Sequence, residues 1–418
     1  MSSPADFRAA APAGPSVLDE LRRVIRRLEA ARPPRPAPEP VEALVEGEVV
    51  DTGAGPLVVV RREYPLDHRR GRFVLGDALD LAAEILDALV PGGVNSLAPE
   101  RLLFLDTETT GLAGGTGTYA FLVGAGYVAG RRFVLEQYFM RDFDEEPALL
   151  AALDSLLARA GGVVTFNGNG FDLPLLETRF VLARRRWPVA LPHLDLLRPA
   201  RRVWGMAGGD CRLATLERQV LGLEREDDVP GFLIPSLYFA FLRDRRPGPL
   251  RQVFAHNRDD VLSLAALLGW FARAADPGAP LTAAEVAGLG RLWERRDPER
   301  AGEYYRRALA AGLDGPEAHR VRLRLARWEK RRARWEAACE LWEAARAAGW
   351  FDVTPWEELA KYHEHRRRDL ATARRIVRDA LCRAQAAGAP WRALDSLAYR
   401  LARLERRLAR QRGRLEPA

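Results

Sequence analysis

The stretch Leu102-Leu-Phe-Leu-Asp106-Thr-Glu108-Thr-Thr-Gly111 decides how this chain reads. Leu102 to Leu105 is a short, unbroken apolar run, as expected of a central strand covered on both faces. Side chains two apart on a strand share a face, so Asp106 and Glu108 project together from the strand's end. Neighbouring carboxylates at the edge of a core repel each other and lose hydration, so they need protons or cations. A glycine-rich turn at 111–117 leads to strand-like runs at 119–128 and 132–139, a meander. Helical spacing at 146–159, a buried strand at 163–166, a helix at 171–185, a short strand at 193–197 and helices at 213–221 and 250–273 follow. This order predicts a mixed sheet with helices packed on it.

Two further segments carry acids. In Val163-Val-Thr-Phe-Asn167-Gly-Asn-Gly-Phe-Asp172-Leu-Pro174 a strand ends, a Gly/Asn turn follows, and Asp172 opens a helix. Read alone, an acid there with Pro behind it is ordinary helix initiation. In the third, Val253, His256, Asp260, Leu264, Leu267 and Phe271 fall on one helical stripe, so His256 and Asp260 interrupt a core-facing surface. Asp259 lies about 100° around the helix, nearer the solvent side, and Asp260 is the preferred inward acid. Local pairing of His256 with Asp260 at i, i+4 is the plain alternative.

Working outward, the 418 residues suggest two or three domains. Residues 1–41 are rich in Ala, Pro and Arg and read as a mobile, disordered tail, with a short helical stretch at 17–31. Residues 42–97 form a lead-in segment with strand-like runs at 46–50 and 56–61 and a helix at 77–90. The α/β unit spans 98–276. Beyond Pro280 the strands vanish and the sequence repeats: Leu289-Gly-Arg-Leu-Trp-Glu-Arg-Arg resembles Leu325-Ala-Arg-Trp-Glu-Lys-Arg-Arg, with weaker copies at Leu359 and Leu401. A helix pair every ~34 residues predicts a tetratricopeptide-like array of helical hairpins at 285–408.

The net charge of +7 hides an asymmetry. From residue 282 there are 31 Lys+Arg against 20 Asp+Glu, or +11; the first 281 residues hold 33 against 37, or −4. Clusters such as Arg331–Arg334 (without Ala333), Arg366–Arg368 and Arg374-Arg375 are interleaved with Trp328, Trp335, Trp342, Trp350 and Trp356. Such surfaces hold single-stranded nucleic acid by phosphate pairing and stacking. Packing between helices, a protein partner or plain scaffolding explains the same pattern. No apolar run approaches the ~18 residues of a membrane span, and the N-terminus lacks a basic start followed by an apolar stretch. Cys211, Cys339 and Cys382 are scattered without a C-x-x-C pair, which points to a reducing cytoplasm and away from zinc or disulfide scaffolds.

Four carboxylates without thiolates suit two Mg²⁺ or Mn²⁺ ions ~3.5–4 Å apart, the geometry of metal-assisted phosphodiester hydrolysis. An imidazole suits removal of a proton near neutrality. Thr107, Thr110 and Asn167 are candidate contacts to a terminal nucleotide, with strand-end and turn chemistry as the alternative.

Asp-x-Glu on a first strand, Asp at a helix start and His-x-x-x-Asp on a late helix together resemble the DEDD exonuclease superfamily, which has a ribonuclease-H-like fold. More narrowly, the chain resembles the YprB-type ribonuclease-H-like proteins. The likeness is carried by Asp106-Thr-Glu-Thr-Thr-Gly with Gly114-Gly-Thr-Gly-Thr-Tyr-Ala-Phe-Leu-Val-Gly, then Thr165-Phe-Asn-Gly, Asp195-Leu-Leu-Arg-Pro-Ala-Arg-Arg, Pro230-Gly-Phe-Leu-Ile-Pro and His256-Asn-Arg-Asp-Asp-Val. The resemblance implies Asp106, Glu108, Asp172 and Asp260 as metal ligands, His256 as the base, and 3′-to-5′ removal of nucleotides from single-stranded DNA or RNA. His256 has three residues before Asp260, the spacing of the tyrosine-type members with a histidine in it. That departure and the large repeat array keep open a non-catalytic adaptor on the same fold, and the fold by itself also leaves open an endonuclease acting on RNA–DNA hybrids.

Overall fold

The computed structural model describes residues 40–90, 98–111, 115–187, 191–205, 210–347 and 349–412. The expected tail at 1–41 and its helix at 17–31 lie almost wholly outside these residues. After a one-turn helix α1 (Val41–Leu44), strands β1 (Glu48–Asp51) and β2 (Pro56–Pro65) form a hairpin, and β3 (Arg69–Arg70) pairs with β4 (Phe73–Val74). The helix expected at 77–90 divides. A 3₁₀ segment, Leu75–Asp80, precedes α2 (Ala83–Leu89), because Leu81 and Ala82 are extended.

Next come β5 (Leu102–Thr109), β6 (Ala120–Ala129), β7 (Arg132–Phe139), α3 (Glu146–Leu157), β8 (Gly162–Thr165), α4 (Asp172–Leu182) and β9 (His193–Asp195). Then follow α5 (Leu197–Val203), α6 (Leu213–Leu216), α7 (Ile234–Asp244) and α8 (Leu250–Arg273). Seven strands make one mixed sheet in the order β1-β2-β7-β6-β5-β8-β9. β5 is antiparallel to β6 and parallel to β8, so its C-terminal end falls where strand direction reverses. The lead-in hairpin joins this sheet: β2 pairs with β7 along its length, Val58 opposite Phe139 through Pro65 opposite Arg132.

Alternation on β5 divides the core. Leu102 and Phe104 pack under α8 with Val261 and Leu264, whereas Leu103 and Leu105 pack under α3 and α4 with Leu149, Leu153 and Leu176. The helix α8 lies unusually close to the sheet because β6 presents glycines beneath it. A Cβ on Gly124 would stand 2.3 Å from Asn257 Oδ1, and one on Gly126 would stand 2.7 Å from Val261.

The C-terminal region is all helical: α9 (Ala283–Trp293), α10 (Pro298–Ala310), α11 (Gly315–Arg331), α12 (Trp335–Arg346), α13 (Val353–His365), α14 (Leu370–Ala386) and α15 (Trp391–Arg412). Three copies of the sequence repeat fall on the first helix of a pair, at Leu289, Leu325 and Leu359, and the fourth, at Leu401, falls on α15, the last described helix. Consecutive helices pack against one another. Glu294, Glu329 and Glu364 recur every 35 residues and each takes arginines from neighbouring helices: Arg324; Arg306 and Arg334; and Arg400, Arg403 and Arg407. The first hairpin is fixed to the α/β unit. Arg291 donates to the carbonyls of Arg202 (2.6 Å) and Val203 (2.9 Å) at the end of α5, and Arg300 pairs with Glu84 at 2.7 Å. Their apolar cores are continuous, with Val286 and Leu289 packed alongside Val203. Among the described residues no helix is long and apolar enough to cross a membrane.

Candidate active site

The end of β5 lies between α8 on one face and α4 on the other. Asp106 and Glu108 face α8. The Asp106 carboxylate accepts from Asn257 Nδ2 at 2.8 Å, and Asn257 is held by Gln137 Nε2, which donates to its Oδ1 at 2.9 Å. Gln137 and Asp106 both sit opposite Gly124 in the sheet, so the close approach of α8 allows this chain of contacts. Glu108 Oε1 is 4.0 Å from His256 Nε2, and Asp260 Oδ2 is 3.6 Å from the same nitrogen. Thr107 points the other way and donates to Asp172 Oδ1 at 2.5 Å.

Asp172 is the first residue of α4 and not its N-cap, which is Phe171. The turn before it is tied by Asp195 at the end of β9. That carboxylate accepts from the backbone of Asn167 (2.8 Å), Asn169 (3.2 Å) and Leu197 (3.0 Å). Asn167 adopts φ +67°, a left-handed conformation that asparagine tolerates better than most residues. Its side-chain oxygen lies toward Gly170, within the turn that leads into α4. The Thr110 hydroxyl accepts from Tyr119 N at 2.9 Å across the hairpin.

The electrostatics explain why such a cluster needs cations. Among the described residues Asp106, Glu108 and Asp172 have no arginine or lysine ion-pair partner. Burial raises the Asp106 carboxyl well above the carboxylate range, and the charges of Asp260 and Asp172 raise it further. Glu108 is raised by burial and then by Asp106. Burial pushes Asp172 up to about 6, against the hydrogen bond from Thr107. Burial also raises Asp260, opposed by Arg225 and His256.

Sequence reading missed the groups on the His256 side. Arg225 is largely buried, holds Glu217 through both oxygens at 2.7 Å and pairs with Asp260 Oδ1. Asp228 Oδ1 lies 2.7 Å from His256 Nδ1, closer than Arg225 at 3.4 Å. This contact holds the ring through Nδ1 and turns Nε2 toward Glu108 and Asp260. Glu217 sits in a π-helical turn, Glu217–Leu221, and also takes Arg70 at 3.3 Å and Ser263. Asp259 is about as buried as Asp260, with side-chain exposures of 18% and 16%. It turns to Arg258 at 2.8 Å and Arg70 at 3.4 Å, away from the cluster.

The donor set fits a hard divalent cation: all oxygen, buried, and destabilised by mutual repulsion that a cation would relieve. Among the described residues no three acids or imidazoles converge into a ready-made metal cage. Asp260 is turned to Arg225 and Asp172 to Thr107.

A mixed sheet carrying acids at the end of its central strand defines a domain of the ribonuclease H class, and a family model described as RNase_H superfamily matches residues 103–272. The chain is 32% identical over 356 residues to the uncharacterized protein YprB of Bacillus subtilis (strain 168), across 82% of this chain and 84% of that one, and it belongs to the same family.

Proposed function

We propose that the protein is a metal-dependent nuclease that removes nucleotides from the 3′ end of single-stranded DNA or RNA. The observation that carries this reading is the set of Asp106, Glu108 and Asp172, half-buried to buried where β5 ends and α4 begins, without an arginine or lysine ion-pair partner among the described residues. The 3′-to-5′ polarity comes from the DEDD likeness. Two Mg²⁺ or Mn²⁺ ions held by Asp106, Glu108, Asp172 and Asp260 would lower the pKa of the attacking water and neutralise charge at the leaving 3′ oxygen. The chain's own residues do the rest. Asn257 aims Asp106, Thr107 aims Asp172, and His256 Nε2 receives the proton of the attacking water, with Asp228 fixing the ring. Asn167 and Thr110 stand at the turn and hairpin nearest the strand end, where a terminal nucleotide would sit.

The test is degradation of 5′-labelled single strands with Mg²⁺ or Mn²⁺. A ladder shortening from the 3′ end is expected, absent in Asp106→Ala. Equal activity in that variant would remove the site, and internal cuts in RNA–DNA hybrids would reassign it as an endonuclease. One observation favours a second reading. Arg225 already engages Asp260, so a guanidinium standing in for the cation would leave a protein that binds nucleic acid or a protein partner without cutting. Absence of divalent binding at millimolar concentration in the folded protein would select that reading.

A further inference from the structure

Much of the array's positive charge is neutralised internally. Arg306, Arg332 and Arg334 all lie 4.6–5.0 Å over the Trp328 ring, and each also holds a glutamate. Arg300 covers Trp293 at 4.1 Å, and Arg346 covers Trp356 at 4.8 Å. The alternation of Arg and Trp is therefore largely internal packing, and the tryptophans under arginines are poor platforms for incoming bases.

One place differs. Between the first and second hairpins the α9–α10 turn, α10 and α11 enclose a cleft of about 460 Å³ with Tyr305 and Trp328 in its lining. Arg295, Arg327 and Arg331 line it, are exposed, and enter no ion pair among the described residues. The acid in its lining, Glu294, is already taken by Arg324. With Arg320 and Arg324 also in the lining, five arginines face one glutamate around this trough. We propose that this cleft is a phosphate-binding seat for the single strand of nucleic acid on which the carboxylate site acts; this rests on the nuclease reading above.

Three features select a nucleic acid strand as the occupant. A protein partner would anchor through buried apolar and aromatic contacts, whereas Trp328 here lies under guanidinium groups. Basic side chains recur with the repeat: Arg295, Lys330 and His365 are 35 residues apart, as are Arg296, Arg331 and Arg366. Lys330, His365 and Arg366 line a second cleft of about 310 Å³ along the array. A ligand with charge at intervals suits such a track better than a single small anion. In the second cleft Lys330, Lys361, Arg400 and Arg403 are all engaged by Glu358 or Glu364, which leaves Arg366 in no ion pair among the described residues, so more of the unpaired arginines stand around the first. Finally, the first hairpin is bolted to α5 and α2 through Arg291 and Arg300, so the seat moves with the catalytic body.

The test uses the full chain with Arg295, Arg327 and Arg331 all changed to Gln, and a matching triple Lys variant. Binding of fluorescein-labelled dT20 and rU20 is followed against salt in the Asp106→Asn background, so that no strand is consumed. For three lost phosphate contacts the slope of log affinity against log salt should flatten by about 2, with affinity down about tenfold at low salt. The Lys variant should keep the slope. With Asp106 restored, cleavage of a trinucleotide too short to reach the array should be unchanged, while KM rises for the 20-mer. An unchanged slope and affinity in the Gln variant would overturn the proposal. So would loss of binding to a labelled oligoglutamate peptide with dT20 binding intact, which would make the cleft a seat for acidic protein. Strand binding that follows the Arg variants in a protein that never cleaves would retain the seat and reject the nuclease reading.

Discussion

Replacing Asp172 by asparagine tests directly whether the cluster is built to hold cations. In metal-free protein burial pushes this carboxyl up to about 6 from an ordinary 3.8. An acid whose folded pKa exceeds its unfolded one binds more protons when folded, so stability falls as pH rises between the two values and stays low above them. The change corresponds to about 3 kcal/mol, and the side chain is buried enough that solvent screening takes little from it. At roughly 2–4 °C per kcal/mol for a unit of this size, the metal-free Tm should fall by about 6–12 °C between pH 4 and pH 6.5 on account of this group. Asp172→Asn removes the charge while leaving an oxygen to accept from Thr107. The variant should lose that slope and melt higher than the natural protein at pH 7 in EDTA. Adding Mn²⁺ at pH 7 should raise the natural protein's Tm and leave the variant's nearly unmoved. The measurement is thermal unfolding by circular dichroism from pH 4 to 8, with and without metal. A metal-free variant that melts at or below the natural protein at pH 7 would refute the reasoning, because the carboxylate would then be stabilising without a cation.

Asp228→Asn should lower kcat by about 10–100-fold with KM and metal dependence unchanged, since it loosens the ring of His256 and touches no metal ligand; steady-state kinetics at several Mn²⁺ concentrations decide it, and an unaltered kcat removes Asp228 from that role. Arg225→Met leaves Glu217 with Arg70 and Ser263 but strips Asp260 of its cation, so a loss of about 2–4 kcal/mol in EDTA is expected, partly recovered by Mn²⁺. A Tm within about 2 °C of the natural protein in EDTA would show that Arg225 balances nothing.

The parts of the site that sequence made legible are those written in a period. Alternation on β5 placed Asp106 and Glu108 on one face, and the helical stripe placed His256 and Asp260 inward. Helix α8 was delimited to the residue, Leu250–Arg273. Arg225 and Asp228 lie on a stretch without period between Gly222 and Pro230, where nothing local says which helix they reach. Asn257 follows His256 directly, and its inward aim depends on the glycines of β6 letting the helix settle. Asp195 was visible in the motif, but its task of tying the 167–169 turn arises only when β9 pairs with β8. The placement of β1 and β2 was hidden for the same reason, since a strand's own residues do not name its partner. The hairpin array was legible from its repeat; the internal pairing of its arginines with Trp and Glu was not, because composition counts charges without saying which are spent.

The lead-in hairpin bears on what counts as the ribonuclease-H-like unit. The family match begins at residue 103, but β2 already covers the outer edge of β7, and Arg70 reaches from β3 to Glu217 and Asp259. A fragment cut at the match boundary would leave an eight-residue strand with its amides bare, open to pairing with another copy, and would remove a cation from behind Arg225. The smallest piece able to stand by itself therefore begins near Val41. The segment that looks like a preface belongs to the frame of the α/β unit.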